Sequence, residues 1–199
     1  MGDTNRKIVT PPCDPHALVG VTGSIAAFKS VELVRLLQGS GWDVTVVMTR
    51  AATEFVGELT FRTLTRKPVG LDLFGAREEW KPEHIAYAEQ VDVFVIAPCT
   101  ANVMAKLAHG LADDLLTCSA LACTAPLLIA PAMNDHMWSH AATRANLRML
   151  IQRGVRIIPP GNGDLACGRK GQGRMAEPAA ILKAITGTMK PGPIKRKQT

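Results

Sequence analysis

A chain of 199 residues with 47% hydrophobic content suits one α/β domain rather than two, and is long enough to bury a substantial core. The net charge of +6 does not describe a nucleic-acid-binding face: Lys190, Lys195, Arg196 and Lys197, close to the chain end, carry four of those charges and leave +2 for the rest. The five cysteines, Cys13, Cys99, Cys118, Cys123 and Cys167, are odd in number and lack CxxC spacing, which argues against a disulfide framework or a zinc site and for the reduced cytoplasm, and no apolar run reaches membrane-spanning length.

Residues 1–15, polar and carrying Pro11, Pro12 and Pro15, read as a flexible leader, residues 16–187 as the folded domain and residues 188–199 as a disordered basic tail. Residues 17–22 (ALVGVT) form a buried strand. It turns at Gly23 and Ser24 into a helix over residues 25–38, with apolar positions at Ile25, Phe28, Val31, Leu33, Leu36 and Leu37, and Gly39 and Gly41 stop it. The glycines read Gly20-x-x-Gly23 rather than GxGxxG. The next strand, residues 44–48, ends in Thr49 and Arg50 instead of the acidic residue that would hold a ribose, which argues against NAD. Amide groups at the helix start, with the Ser24 and Thr49 hydroxyls nearby, suit a single phosphate, although any helix after a strand offers the same amides.

Residues 53–64 have a helical pattern, residues 69–74 that of a short strand, and residues 75–82 form a charged loop leading to His84. The strand at 91–97 (VDVFVIA) opens a second polar loop at the same sheet edge, Pro98-Cys99-Thr100-Ala101-Asn102, before a helix over 103–108 and another over 111–122. From residue 127 the chain reads LLIAPAMNDHMW. Four apolar residues without alternation end a strand buried on both faces, Pro131 stops sheet pairing for want of an N–H, and Met133, Asn134, His136, Met137 and Trp138 emerge at the strand's carboxyl end, where ligands bind in open α/β sheets. The alternative makes Met137 and Trp138 core residues of the next helix and Asn134 its N-cap. Residues 143–153 are helical and residues 155–158 form a last short strand. Residues 159–178 contain five glycines, too many for a packed element, and read as a surface loop or a lid; a helix over 179–186 closes the domain.

Four stretches in this order resemble the homo-oligomeric flavin-containing cysteine decarboxylases: GSIAAFKSVELVRLL (residues 23–37), APCTANVMAKLAHGLADDLLT (97–117), PAMNDHMW (131–138) and GDLACGRKGQGRMAEP (163–178). The third fits the family's PxMNxxMW pattern throughout, and in the second Cys99 and Thr100 stand where the family often has Ala and Ser. The resemblance implies a Rossmann-like three-layer fold with a parallel sheet in a single domain. It implies FMN held by Gly23, Ser24, Ile25, Thr49, Thr100, Ala101, Asn102, Val103 and the region of Ala132, in a homo-oligomer of trimers or dodecamers with the flavin at a subunit interface. The charge distribution and the strand-sized apolar runs, for their part, point to neither a nucleic-acid nor a membrane partner.

The family's chemistry accounts for the remaining residues. An unmodified cysteine has no sink for the electrons of its breaking C–C bond; flavin provides one by oxidising the Cα–Cβ–S side to a thioaldehyde, after which CO2 leaves and an enethiol remains. Asn134 resembles the residue that hydrogen-bonds the carboxylate, Met137 one that shapes the pocket floor, and His84 the catalytic histidine, with an ordinary pKa near ~6.5 suited to proton exchange. His109, His136, His140 and the other cysteines fall to structure or surface. Cys167 resembles the cysteine that helps reduce the enethiol when phosphopantothenoylcysteine is the substrate, with a merely packed residue as the alternative. Glu89, five residues after His84, stands where members that bind that substrate's phosphate carry Lys or Arg, and would repel it by about 1 kcal/mol even when solvated. The lack of a following synthetase domain leans the same way. The expected substrate is therefore the C-terminal cysteine of a peptide natural-product precursor, giving an aminoenethiol, with phosphopantothenoylcysteine of coenzyme A biosynthesis as the alternative and a flavin-binding regulatory subunit as a lesser one.

Overall fold

The computed structural model describes residues 14–73, 87–88, 91–164, 168 and 170–188. Five strands, β1 (His16–Val21), β2 (Asp43–Met48), β3 (Val93–Cys99), β4 (Leu127–Pro131) and β5 (Arg156–Ile157), form a parallel sheet in the order β2-β1-β3-β4-β5. Helices cover both faces, as the Rossmann-like expectation requires. The winding reverses between β1 and β3, and the carboxyl edge at such a reversal is where open α/β sheets leave a crevice.

Alternation along each strand feeds two apolar layers. Val93, Val95 and Ala97 pack on one side with α1 (Phe28–Gly39) and α8 (Pro178–Thr186), whereas Phe94 and Ile96 pack on the other with α4 (Ala101–His109) and α5 (Leu115–Ala122). Both faces being covered explains why the central strands β3 and β4 are apolar throughout. The remaining elements are a 3₁₀ turn (Ile25–Ala27), α2 (Arg50–Thr53), α3 (Glu58–Thr65), α6 (Asp135–Ser139), α7 (Ala141–Gln152), and the antiparallel hairpin of β6 (Gly161–Asp164) and β7 (Lys170–Arg174).

The structure corrects several local expectations. The helix expected over 53–64 begins only at Glu58: α2 ends at Thr53, residues 54–57 turn the chain, and Gly57 in extended geometry is the N-cap of α3. Over 69–73 there is no strand: only Gly70 pairs, bridging Val47 through its N–H to the Val46 carbonyl and its carbonyl to the Met48 N–H. The helix expected from residue 111 starts at Leu115, because Gly110 ends α4 with φ 69° and Asp114 caps α5 in a reciprocal capping box with Thr117. β4 does end at Pro131, one residue beyond the apolar run, with Pro131 itself opposite Cys99 and Ala132 N–H donating to the Cys99 carbonyl at 3.0 Å. The glycine-rich stretch is a hairpin rather than an open loop, since Gly171 and Gly173 let β7 lie against the segment after β4. The leader up to residue 13, the tail from residue 189, and His84, Glu89 and Cys167 lie outside the described residues. Among the described residues no helix is long and apolar enough to cross a membrane.

Candidate active site

At the carboxyl edge of β1–β4 the chain forms a cleft of about 1170 Å³. Ordinary ligand pockets hold about 300–1,000 Å³, so this one has room for a cofactor and a substrate together. Gly23, Ser24, Ile25, Thr49, Thr100, Ala101, Asn102, Val103, Ala132, Asn134 and Met137 all line it, so every candidate position within the described residues faces one space.

Each wall has a local cause. After β1 the chain turns tightly, Ser24 Oγ accepting the Ala26 N–H at 3.2 Å, and Gly23 lies so close to α2 that a Cβ there would come within 2.6 Å of Ala51 Cβ. After β2, Thr49 N–H donates to the Val21 carbonyl at 3.0 Å, while Thr49 Oγ1 is buried with no hydrogen-bond partner among the described residues. A buried hydroxyl facing a cavity in that state suits an acceptor supplied by a ligand. After β3, Thr100 caps α4, its Oγ1 accepting the Val103 N–H at 3.3 Å, and the first turn of α4 faces the cleft. These amide-rich starts and the Thr49 hydroxyl fit the phosphate of a mononucleotide.

After β4, Asn134 is both things that its sequence allowed. It caps α6, with Oδ1 accepting the His136 N–H at 2.9 Å, and it lines the cleft. Trp138 is buried beneath Arg144, whereas Met137 is half exposed on the cleft side. The hairpin supplies the remaining wall through Gly173, Arg174 and Met175, and the Gly173 carbonyl accepts the Met133 N–H at 3.0 Å.

The charged lining was not anticipated. Lys29, almost fully buried on α1, donates to Glu177 Oε1 at 2.8 Å, and Arg174 lies 3.3 Å from the same oxygen. The hydrogen bond from Lys29 holds the Glu177 carboxyl below its ordinary range. Across the cleft Lys106 is bracketed by Asp113 at 2.6 Å and Asp114 at 3.1 Å; burial would lower its pKa, but the two carboxylates raise it on balance. A lysine on the apolar stripe of α1 was the available signal for Lys29, but its partner lies 148 positions away. Burial pushes the Cys99 thiol up to about 12, which makes it inert, and no group of metal-ligating side chains occurs among the described residues.

A family model described as Flavoprotein matches residues 11–190. The coenzyme A biosynthesis bifunctional protein CoaBC of Bacillus subtilis (strain 168) is 45% identical over 168 residues, covering 84% of this chain and 41% of that protein. The chain thus spans less than half the length of that relative. Among solved structures, a cysteine-to-serine mutant of PPC decarboxylase complexed with pantothenoylaminoethenethiol matches with a TM-score of 0.80 at 34% identity, covering 88% of this chain and 98% of that one. The FMN-dependent cysteine decarboxylase SpaF matches with a TM-score of 0.74 at 31% identity, covering 87% and 98%. A match along nearly the whole chain, with the cleft where the fold's reversal puts it, places this chain in the Flavoprotein family, among the FMN-dependent cysteine decarboxylases.

Proposed function

We propose that this protein decarboxylates phosphopantothenoylcysteine with FMN seated in the cleft. The observation that carries the choice of substrate is the 45% identity to the coenzyme A protein over 168 residues. This reverses the weighing made from Glu89 and from the lack of a following synthetase domain. A single charge that lies outside the described residues counts for less than identity spread along the domain.

In this reading Gly23, Ser24 and Ile25 receive the FMN phosphate with the Thr49 hydroxyl, and Thr100, Ala101, Asn102, Val103 and Ala132 border the rest of the cofactor. Bound FMN supplies the electron sink that cysteine lacks. Asn134 offers its amide Nδ2 to the substrate carboxylate: a neutral donor orients that group without holding it as tightly as a guanidinium would, so CO2 can leave. Met137 packs against the substrate, and the hairpin keeps water from the reacting end. His84 exchanges the proton near neutrality. Cys167 would supply the proton when the enethiol is reduced, the two electrons being those that bound FMN took up in the oxidation, a role supported by the pantothenoylaminoethenethiol held by the cysteine-to-serine mutant of PPC decarboxylase.

A homo-oligomer, trimeric or dodecameric and cytoplasmic, belongs to the same proposal. Ile25 and Phe28 are 60% and 58% exposed at the cleft rim, which supports a second copy covering them. Removing the backbone clearance at Gly23 tests the cofactor's seat. Gly23→Ala is expected to raise the FMN Kd of the apoprotein by roughly tenfold or more, because overpacking against Ala51 shifts the turn; fluorescence titration reads it.

The peptide reading keeps one observation in its favour, the carboxylate at Glu89. Offering the purified protein both phosphopantothenoylcysteine and cysteine-terminated peptides separates the two by mass. Conversion of the small molecule with loss of CO2 alone, and no change in the peptides, is the expected result. Peptides losing CO2 and two hydrogens while phosphopantothenoylcysteine stays intact would reverse the assignment.

A further inference from the structure

Two segments of the proposed FMN seat come from different strands, the turn after β1 and the start of α4, and one side chain joins them. Thr22, fully buried, precedes Gly23 directly. Its hydroxyl donates to the Pro98 carbonyl at 2.8 Å and accepts the Thr100 N–H at 3.2 Å, so a single oxygen grips the chain on both sides of Cys99. Ser30, also fully buried, reinforces the grip from α1 by donating to the Ala97 carbonyl at 2.6 Å. Thr100 in turn caps α4.

The Thr100 N–H lies ahead of the first turn of α4, where a helix provides no acceptor of its own, and the Pro98 carbonyl falls in the register break of β3 between Ile96 and Cys99. Both need a partner, and the Thr22 hydroxyl is the partner each has. The distance between the Gly23–Ser24 turn and the first turn of α4 is therefore set at Thr22. We propose that Thr22 is a positioning residue for the cofactor, holding these two segments at the separation that FMN requires, with Ser30 as its support. Thr22 itself does not line the cleft. The proposal rests on FMN occupying the cleft as described above.

Valine has nearly the shape of threonine but no hydroxyl, so Thr22→Val removes the two bonds without opening a cavity, whereas Thr22→Ser keeps them. Titrating apoprotein into FMN and following flavin fluorescence, Thr22→Val is expected to raise Kd by about tenfold, and Thr22→Ser to stay within about threefold of the parent. A purely structural part for Thr22 predicts a lower melting temperature of Thr22→Val with Kd unchanged, and that result would overturn the proposal. Parent apoprotein that fails to bind FMN would overturn the placement of the cofactor and this proposal together. If Thr22→Val does not fold, amide exchange on the parent apoprotein decides: the Thr100 amide must be protected although it precedes the helix, and rapid exchange there would dismiss the role.

Discussion

Asn134→Asp is expected to lower kcat/KM for decarboxylation by roughly a thousandfold while FMN stays bound and the melting temperature barely moves. The substitution is chosen because Asn134 serves two ends. As the cap of α6 its Oδ1 accepts the His136 N–H at 2.9 Å, and aspartate caps a helix as well as asparagine does. Toward the substrate the two differ fully. Asparagine presents Nδ2 as a donor, whereas aspartate presents a second acceptor that carries charge. Losing a hydrogen bond to a carboxylate removes about 1.5–3 kcal/mol. A like charge some ~4 Å away in partly screened surroundings adds about 4 kcal/mol of repulsion, of which solvent at the half-exposed position leaves a part. Asn134→Ala is the less informative change, since it also removes the cap, worth about 1 kcal/mol of stability. Steady-state kinetics with the flavin spectrum measured on the same sample checks the prediction. Activity of Asn134→Asp within a few-fold of the parent would confine Asn134 to capping.

The sequence and the structure agree where physics is local. β1 to β4 were placed within about two residues because strands buried on both faces are unbroken apolar runs. The loops that carry Ser24, Thr49, Thr100 and Asn134 are legible for a related reason: each begins where such a run ends, and the carboxyl edge of the sheet gathers those ends. Errors arose where one residue's environment decides. The start of α5 depends on the Asp114–Thr117 capping box, and the break between α2 and α3 on Gly57. The pairing of Lys29 with Glu177 joins the first helix to the residue preceding the last, a contact that no window along the chain contains. The hairpin was missed because glycine was counted against packing, when packing is its purpose here.

That purpose carries the final expectation, for Gly173→Ala. In β7 the alternate residues Gly171 and Gly173 face the segment after β4: an added Cβ would lie 2.9 Å from Asp135 Cβ at the first and 2.1 Å from the Met133 carbonyl oxygen at the second. The second clash is with backbone, which has no rotamer to yield. The strand must move away, and the bond from Met133 N–H to the Gly173 carbonyl, 3.0 Å long, moves with it. Because Met133 precedes Asn134, the hairpin and the Asn134 loop lose their common register. A displacement of about 1 Å at a reacting group costs on the order of a hundredfold in rate, and that is the expected fall in kcat/KM. Gly163→Ala in the partner strand β6 is the control. It makes the same change in backbone freedom, but its Cβ would meet only the flexible side chain of Arg174, at 3.5 Å, an ordinary contact. It should stay within about twofold of the parent. Hydrogen exchange across residues 170–174 gives a second readout, faster in Gly173→Ala and unchanged in Gly163→Ala. Equal effects of the two substitutions would mean that the hairpin's flexibility, and not its seat on the Asn134 loop, matters to the reaction.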